Sequence, residues 1–251
     1  MTKPARLFDI LVILQSLQYG SAMTNDRLKA GRLKTGLTQK RAADALGVSQ
    51  SYLSQLEMGQ RPVTPELARA ATSLYHLSAT ALPMPEPPAE GHVADSAQLA
   101  RQLSGLGYPG FAHLRPRKSN PAAVVLEALL QNDLEARLAE ALPWVLLTYP
   151  DLDWAWLVRH GKLHDVQNRL GFLVALAKSL AADRPGFESV LSQLCAVEQQ
   201  LERARLARED TLCRESMPAA ERSWLKTHRS ALARHWNLLT GLTVDQLSYA
   251  R

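Results

Sequence analysis

The tightest constraint in this chain is the run TQKRAADALGVSQSYLSQLE at residues 38–57. Thr38 is a hydroxyl that can cap a helix over Gln39 to Leu46, and Gly47 tolerates the positive φ of a tight turn. Ser49 supplies a second hydroxyl cap for a helix from Gln50 to Met58. Ala43 is small enough for two helices to cross closely at that turn, and Leu46, Val48, Leu53 and Leu56 give them a small shared core. A stretch punctuated in this way is restricted to two short helices meeting across a turn, the helix-turn-helix geometry.

Charge falls in the same place. The 251 residues carry a formal net charge of +5, with 29 Lys and Arg against 24 Asp and Glu. Residues 23–82 alone contribute +4, from eight basic residues against Asp26, Asp44, Glu57 and Glu66, while residues 121–251 come to −1. A local excess of this kind points to one polyanion-binding surface on an otherwise neutral protein.

Between residues 25 and about 80 the sequence resembles the helix-turn-helix domain of phage repressor and Cro proteins, the XRE family. The residues that carry the likeness are Leu37-Thr38-Gln39, Ala43, Gly47-Val48-Ser49-Gln50, Leu53-Ser54, and Glu57 with Gly59 two positions on. The resemblance implies a DNA-binding domain whose second paired helix enters the major groove with its N-terminal side chains toward base edges. On that reading Gln50, Ser51, Ser54 and Gln55 contact bases, since Gln can pair bidentately with adenine and Ser can donate or accept. Gln39, at the start of the preceding helix, is expected to hold a phosphate, with Lys40, Arg41, Tyr52 and Arg61 adding backbone contacts that carry no sequence information. The resemblance also implies a structural ion pair between Arg32 and Glu57. Met58 stands where the family commonly has Asn, and Ala42 where a larger apolar residue is usual; neither exchange is expected to touch the reading surface.

One such domain reads few bases, and repressors of this kind act as symmetric dimers on half-sites about 34 Å apart. The expected partners are therefore a double-stranded DNA operator and a second copy of the chain. Candidates for the dimer contact are an amphipathic helix at residues 1–22, carrying Leu7, Ile10, Leu11, Leu14 and Leu17 on one stripe, and the C-terminal domain. Residues 83–120 read as a linker containing one helix, opened by the Pro- and Glu-rich PMPEPPAEGH.

From Pro121 to Arg251 a 3.6-residue period dominates, and helices are expected at 122–131, 133–148 with a break or kink at Pro143, 152–160 capped by Asp151, 163–182, 186–209, 218–228, 229–239 and 243–250. The fold class is all-α: a five-helix repressor-like domain followed by a larger helical domain for dimerisation and partner binding. Segments 141–173 and 222–250 resemble the C-terminal half of repressor-type proteins paired with nucleotidyltransferase toxins, which implies an antitoxin role and a toxin as protein partner.

Other chemistries find little support. No apolar run reaches the roughly 18 residues of a membrane span, Asp9 interrupts the only leader-like stretch, and two cysteines, Cys195 and Cys213, make no disulfide framework. A cytoplasmic protein with reduced thiols is expected. His160 and His164 are spaced for one helix face but lack a third ligand, so no metal or cofactor is expected. Arg222 and His228 match the Arg-x(4 to 6)-His signature of HEPN-type ribonucleases, but so do Arg229 and His235. A ribonuclease or a small-molecule-sensing repressor is thus the alternative to a non-enzymatic autorepressor without catalytic residues.

Overall fold

In a computed structural model, residues 23–85, 95–182 and 184–247 are described, and the segment 1–22 expected as an amphipathic helix lies outside them. The chain divides into two compact units, 1–86 and 87–251.

The first unit holds α1 (Asn25–Lys34), α2 (Gln39–Leu46), α3 (Gln50–Glu57), α4 (Pro65–Leu74) and a single 3-10 turn at Ala79–Ala81. Each α-helix starts at a hydroxyl whose oxygen accepts a backbone N–H three residues on: Thr24 from Arg27, Thr38 from Arg41, Ser49 from Tyr52 and Thr64 from Leu67. Three of them end at a glycine with φ near +70°, Gly36, Gly47 and Gly59. At Gly47 the Val48 N–H donates to the Ala43 carbonyl and the Gly47 N–H to Asp44, the bonding pattern of a Schellman cap. Leu28, Ala42, Ala43, Leu53, Leu56 and Ala71 meet in one core, with Val48 and Tyr52 packed against its edge. Ala42 and Ala43 are both fully enclosed, so the smallness of these residues sets how near the helices lie.

In the second unit, α5 (Ser96–Gly105) is followed by a 3-10 turn at Pro109–Phe111, then α6 (Pro121–Leu129), α7 (Ala136–Thr148), α8 (Trp154–Leu163), α9 (Gln167–Ala182), α10 (Glu188–Glu202), α11 (Ala219–His228) and α12 (Ala231–His235). The central helix is α9, buried without interruption from Gln167 to Ala177 and packed against α7, α8, α10 and α12. Gly171 lets the indole of Trp236 lie directly on this helix, since a methyl at residue 171 would overlap the ring. Arg169, buried on α9, donates to both oxygens of Asp210, to the carbonyls of Leu129 and Gln131, and to the Cys213 sulfur, tying three segments together. Burial pushes the Cys213 thiol up to about 11, so it stays protonated and unreactive.

Several expectations for this unit need correction. The all-α class holds, and within it one short pair was not expected: Asp210–Thr211 (β1) pairs in parallel with Leu238–Leu239 (β2). The long helix expected at 186–209 stops at Glu202, because the Gln167 amide donates to the Ala204 carbonyl and the Asn168 amide bonds both backbone groups of Leu206. These side chains take over the partners a continuing helix would need. The helix expected at 229–239 is cut to Ala231–His235 by Asn237 at φ 54°. Asp153 caps α8 in place of Asp151 by accepting from the Trp156 N–H at 2.9 Å, and of the break or kink expected at Pro143 the break does not occur, since α7 runs on through it. Residues 243–250 contain a 3-10 turn at Val244–Gln246 among the described positions. Helix α5, lying in the stretch 83–120 where one helix was expected, and Phe111 bury Leu99, Leu103 and the Phe ring in this unit. Among the described residues no helix is long and apolar enough to cross a membrane.

Candidate nucleic-acid interface

The α3 helix is two-sided. Leu53, Leu56 and Glu57 point inward and are buried, which turns Ser51, Ser54 and Gln55 away from them by the helical period, while Gln50 is exposed as the first residue of the helix. Gln50 and Ser51 are exposed, and Ser54 and Gln55 are partly so. Ser51 Oγ lies 3.2 Å from Ser49 Oγ, whereas the side chains of Gln50, Ser54 and Gln55 make no hydrogen bond among the described residues. Their donors and acceptors are free for a ligand. Met58, 62% exposed, continues this face one turn on, where an apolar side chain can meet a thymine methyl. This differs from the expectation that Met58 lies off that face; its spacing of four from Ser54 was the available signal.

The inward side is locked electrostatically. Arg32 on α1 donates from Nε to Glu57 Oε1 at 2.6 Å and from Nη2 to Oε2 at 2.9 Å, and its Nη1 donates to the Leu37 carbonyl at 2.9 Å. The two side chains are only 9% and 2% exposed. Burial pushes the Glu57 carboxyl up, but hydrogen bonds from Arg32 and Gln39 overcome it and hold the group below the ordinary carboxylate value. The bond to Glu57 raises Arg32 further above its ordinary value, so both stay charged.

Gln39 is the residue whose placement differs from the expected one. Its side chain points inward, with Nε2 donating to Glu57 Oε2 at 2.9 Å, so the amide is engaged with the ion pair. What α2 still offers an anion is its N-terminal backbone, flanked by the exposed, acid-free side chains of Lys40 and Arg41. Tyr52 is half-buried against the core, and the Arg61 guanidinium sits 5.5 Å over its ring, which holds that cation beside α3.

The other candidates in the second unit are not assembled into sites. Arg222 donates to the carbonyls of Met217 and Glu215, while His228 stacks on Trp224 with ring centroids 4.4 Å apart. Six positions along one helix also turn the two to different sides. His160 is buried against Trp156, and neither of its ring nitrogens has a partner among the described residues. Burial, with Arg159 and His164 adding to it, lowers its pKa, so the ring is neutral. No described group of three or more His, Cys, Asp or Glu could hold a metal. Of the five tryptophans, Trp154 and Trp156 are both buried, because α8 packs against α6, α9 and α10 at once, and Trp224 alone is well exposed at 56%.

A helix-turn-helix domain model matches residues 26–83. The chain is 35% identical over 97 residues to the propionyl-CoA carboxylase regulator of Cereibacter sphaeroides, covering 39% of this chain and 21% of that protein. It is 41% identical over 61 residues to the HTH-type transcriptional regulator PrpR of Mycobacterium tuberculosis, covering 24% of this chain and 13% of that one. The chain thus spans about a fifth or less of the length of these curated relatives. No solved structure matches it. With the geometry above, these likenesses identify residues 26–83 as a helix-turn-helix domain of the kind carried by transcriptional regulators.

Proposed function

We propose that the chain is a sequence-specific DNA-binding transcriptional regulator that reads an operator with α3 and acts as a dimer on two half-sites. The observation that carries this reading is the outward face of α3. Gln50, Ser54 and Gln55 have uncommitted polar side chains there, on a helix whose direction is fixed by a hydroxyl cap and a buried ion pair. Gln50 and Ser51 sit at the N-terminal end that enters the groove first, and Ser54 and Gln55 follow one turn later. Lys40, Arg41 and Arg61 supply phosphate contacts around them. Similarity to two proteins named as regulators supports the transcriptional part of the reading. A domain of this size makes too few base contacts for operator specificity alone, which is why a second copy is included.

The test begins with selection of bound sequences from a random duplex library by the full chain. The expected result is an inverted pair of half-sites centred about 10 base pairs, or a multiple of that, apart. Gln50→Ala combined with Ser51→Ala should then erase discrimination between the selected duplex and a scrambled one while leaving salt-dependent non-specific binding. Undiminished discrimination by the double variant would remove α3 from the role given to it.

A further inference from the structure

We infer that the second unit carries its own phosphate-contacting surface, formed by Arg101 on α5 with Arg115, Arg117 and Lys118 on the following loop, which binds the DNA backbone independently of sequence. The inference rests on the DNA-binding reading above and adds to it a second, non-reading contact outside the helix-turn-helix domain.

All four side chains are exposed and none has a partner among the described residues. Backbone bonding brings them together. The Arg117 N–H donates to the Arg101 carbonyl at 2.9 Å, and the Ser104 hydroxyl donates to the Leu114 carbonyl at 3.1 Å. Gly105 lies so close to the Arg117 backbone that a methyl at this position would overlap the carbonyl. At one end of the loop Phe111 is buried; at the other, Asn120 accepts from the Ala122 N–H at 3.0 Å and starts α6. Pro116 stiffens the stretch between the two arginines. The backbone that carries the cations is therefore an ordered ridge, and an extended anion laid along it can meet all four charges.

Among the described residues no acid pairs with these cations. Across residues 95–120 the four cations face one carboxylate, Asp95, which accepts from the Ala97 N–H as the cap of α5. Glu127, on neighbouring α6, accepts from Gln102. Elsewhere in the unit Arg205, Arg214, Lys226 and Arg229 each lie within 4 Å of a glutamate, and the exposed cations without an acid partner, Arg159, Lys162, Arg208 and Arg234 among them, are not joined by a backbone bond of this kind. The exposed large apolar side chains among the described residues are Leu33, Met58, Leu163 and Trp224, none of them on the ridge, so it lacks the apolar centre that a protein interface buries. A polyphosphate backbone suits four fixed cations without an apolar core, and covalent attachment to a DNA-reading domain keeps such a backbone at high local concentration.

The test compares the full chain with the variant Arg101→Gln, Arg115→Gln, Arg117→Gln, Lys118→Gln on the selected operator set within a longer duplex, as a function of salt. A control variant, Arg159→Gln, Lys162→Gln, Arg208→Gln, Arg234→Gln, removes the same charge from exposed positions outside the ridge. Loss of four phosphate contacts lowers the slope of log affinity against log salt by about 3 to 4. Between about 50 and 200 mM salt the wild type then loses roughly a hundredfold more affinity than the ridge variant. The ridge variant should keep the wild-type ratio of operator to scrambled binding and the wild-type melting curve, and the control should keep the wild-type slope. An unchanged slope in the ridge variant overturns the proposal and leaves an acidic protein as the occupant, and an equal fall in both variants overturns it in favour of overall charge. Failure of the α3 reading would appear separately, in the operator-to-scrambled ratio of the Gln50, Ser51 variant.

Discussion

Replacing Glu57 by Gln keeps the size of a buried side chain and removes its charge. In the native protein that carboxylate receives two bonds from Arg32 and one from Gln39. In the variant the guanidinium remains 91% enclosed, by its 9% exposure, but has lost its counter-charge. Removing one member of a buried pair costs about 3 to 5 kcal/mol. The lower end applies, about 3 kcal/mol, because Arg32 keeps the Leu37 carbonyl and the new amide oxygen can accept one of its bonds. A domain spanning residues 23–85 has a total stability on the order of 3 to 9 kcal/mol, so this loss is a large part of it. For a domain of that length it corresponds to a fall of about 12 to 24 °C in the melting temperature. The measurement can be made on the full chain, because all five tryptophans, Trp144, Trp154, Trp156, Trp224 and Trp236, lie in the second unit. Far-ultraviolet circular dichroism should show an early partial loss of helix at a temperature where tryptophan emission is still native. Arg32→Met with Glu57→Leu removes both charges and should restore most of the lost stability. A fall of less than about 4 °C in the single variant, or a double variant as unstable as the single one, would refute this account of the ion pair.

Two further outcomes follow from the same geometry. The Glu57 carboxyl has a folded pKa below its ordinary 4.5, so its stabilising effect is complete above that value and is lost as pH falls through the folded pKa. The difference in melting temperature between wild type and Glu57→Gln should therefore be constant near neutrality and shrink below about pH 4.5, which a pH series of melts would check. In the second unit, Gly171→Ala drives a methyl into the fully buried Trp236 ring and should destabilise that unit by about 1 to 3 kcal/mol, seen as an earlier tryptophan transition with the first unit unmoved.

The first unit was legible because its boundaries are written in local chemistry. Thr38, Gly47 and Ser49 act on backbone groups within a few residues of themselves, so the limits of α2 and the start of α3 could be placed from the chain alone. The inward turn of Gln39 was not legible, since its partner Glu57 lies 18 residues away and is brought near only by the fold. The same reason accounts for the second unit. Helical periodicity marks α9 and the body of α10, but the end of α10 is decided by the amides of Gln167 and Asn168, more than thirty positions earlier. The β1–β2 pair joins segments 28 residues apart and only two residues long each, too short to leave an alternating pattern. The basic ridge escaped notice for a related reason: Arg101 and Arg117 look unconnected until a backbone bond joins them.

Hydroxyl starts and glycine ends on successive helices have a consequence for how such a protein can change over time. The direction of α3 is set by Ser49, Gly59 and the inward residues Leu53, Leu56 and Glu57, none of which is an outward-facing side chain. Exchanges at Gln50, Ser54 and Gln55 therefore touch neither the caps nor the core, Ser51 alone of the four meeting the Ser49 cap hydroxyl, and surface changes of this kind shift stability by only about 0.5 kcal/mol. Under the reading proposed above, the preferred operator can drift from one lineage to the next while the scaffold that presents it stays the same, so paralogues of one fold can diverge into regulators of separate genes without passing through an unstable intermediate.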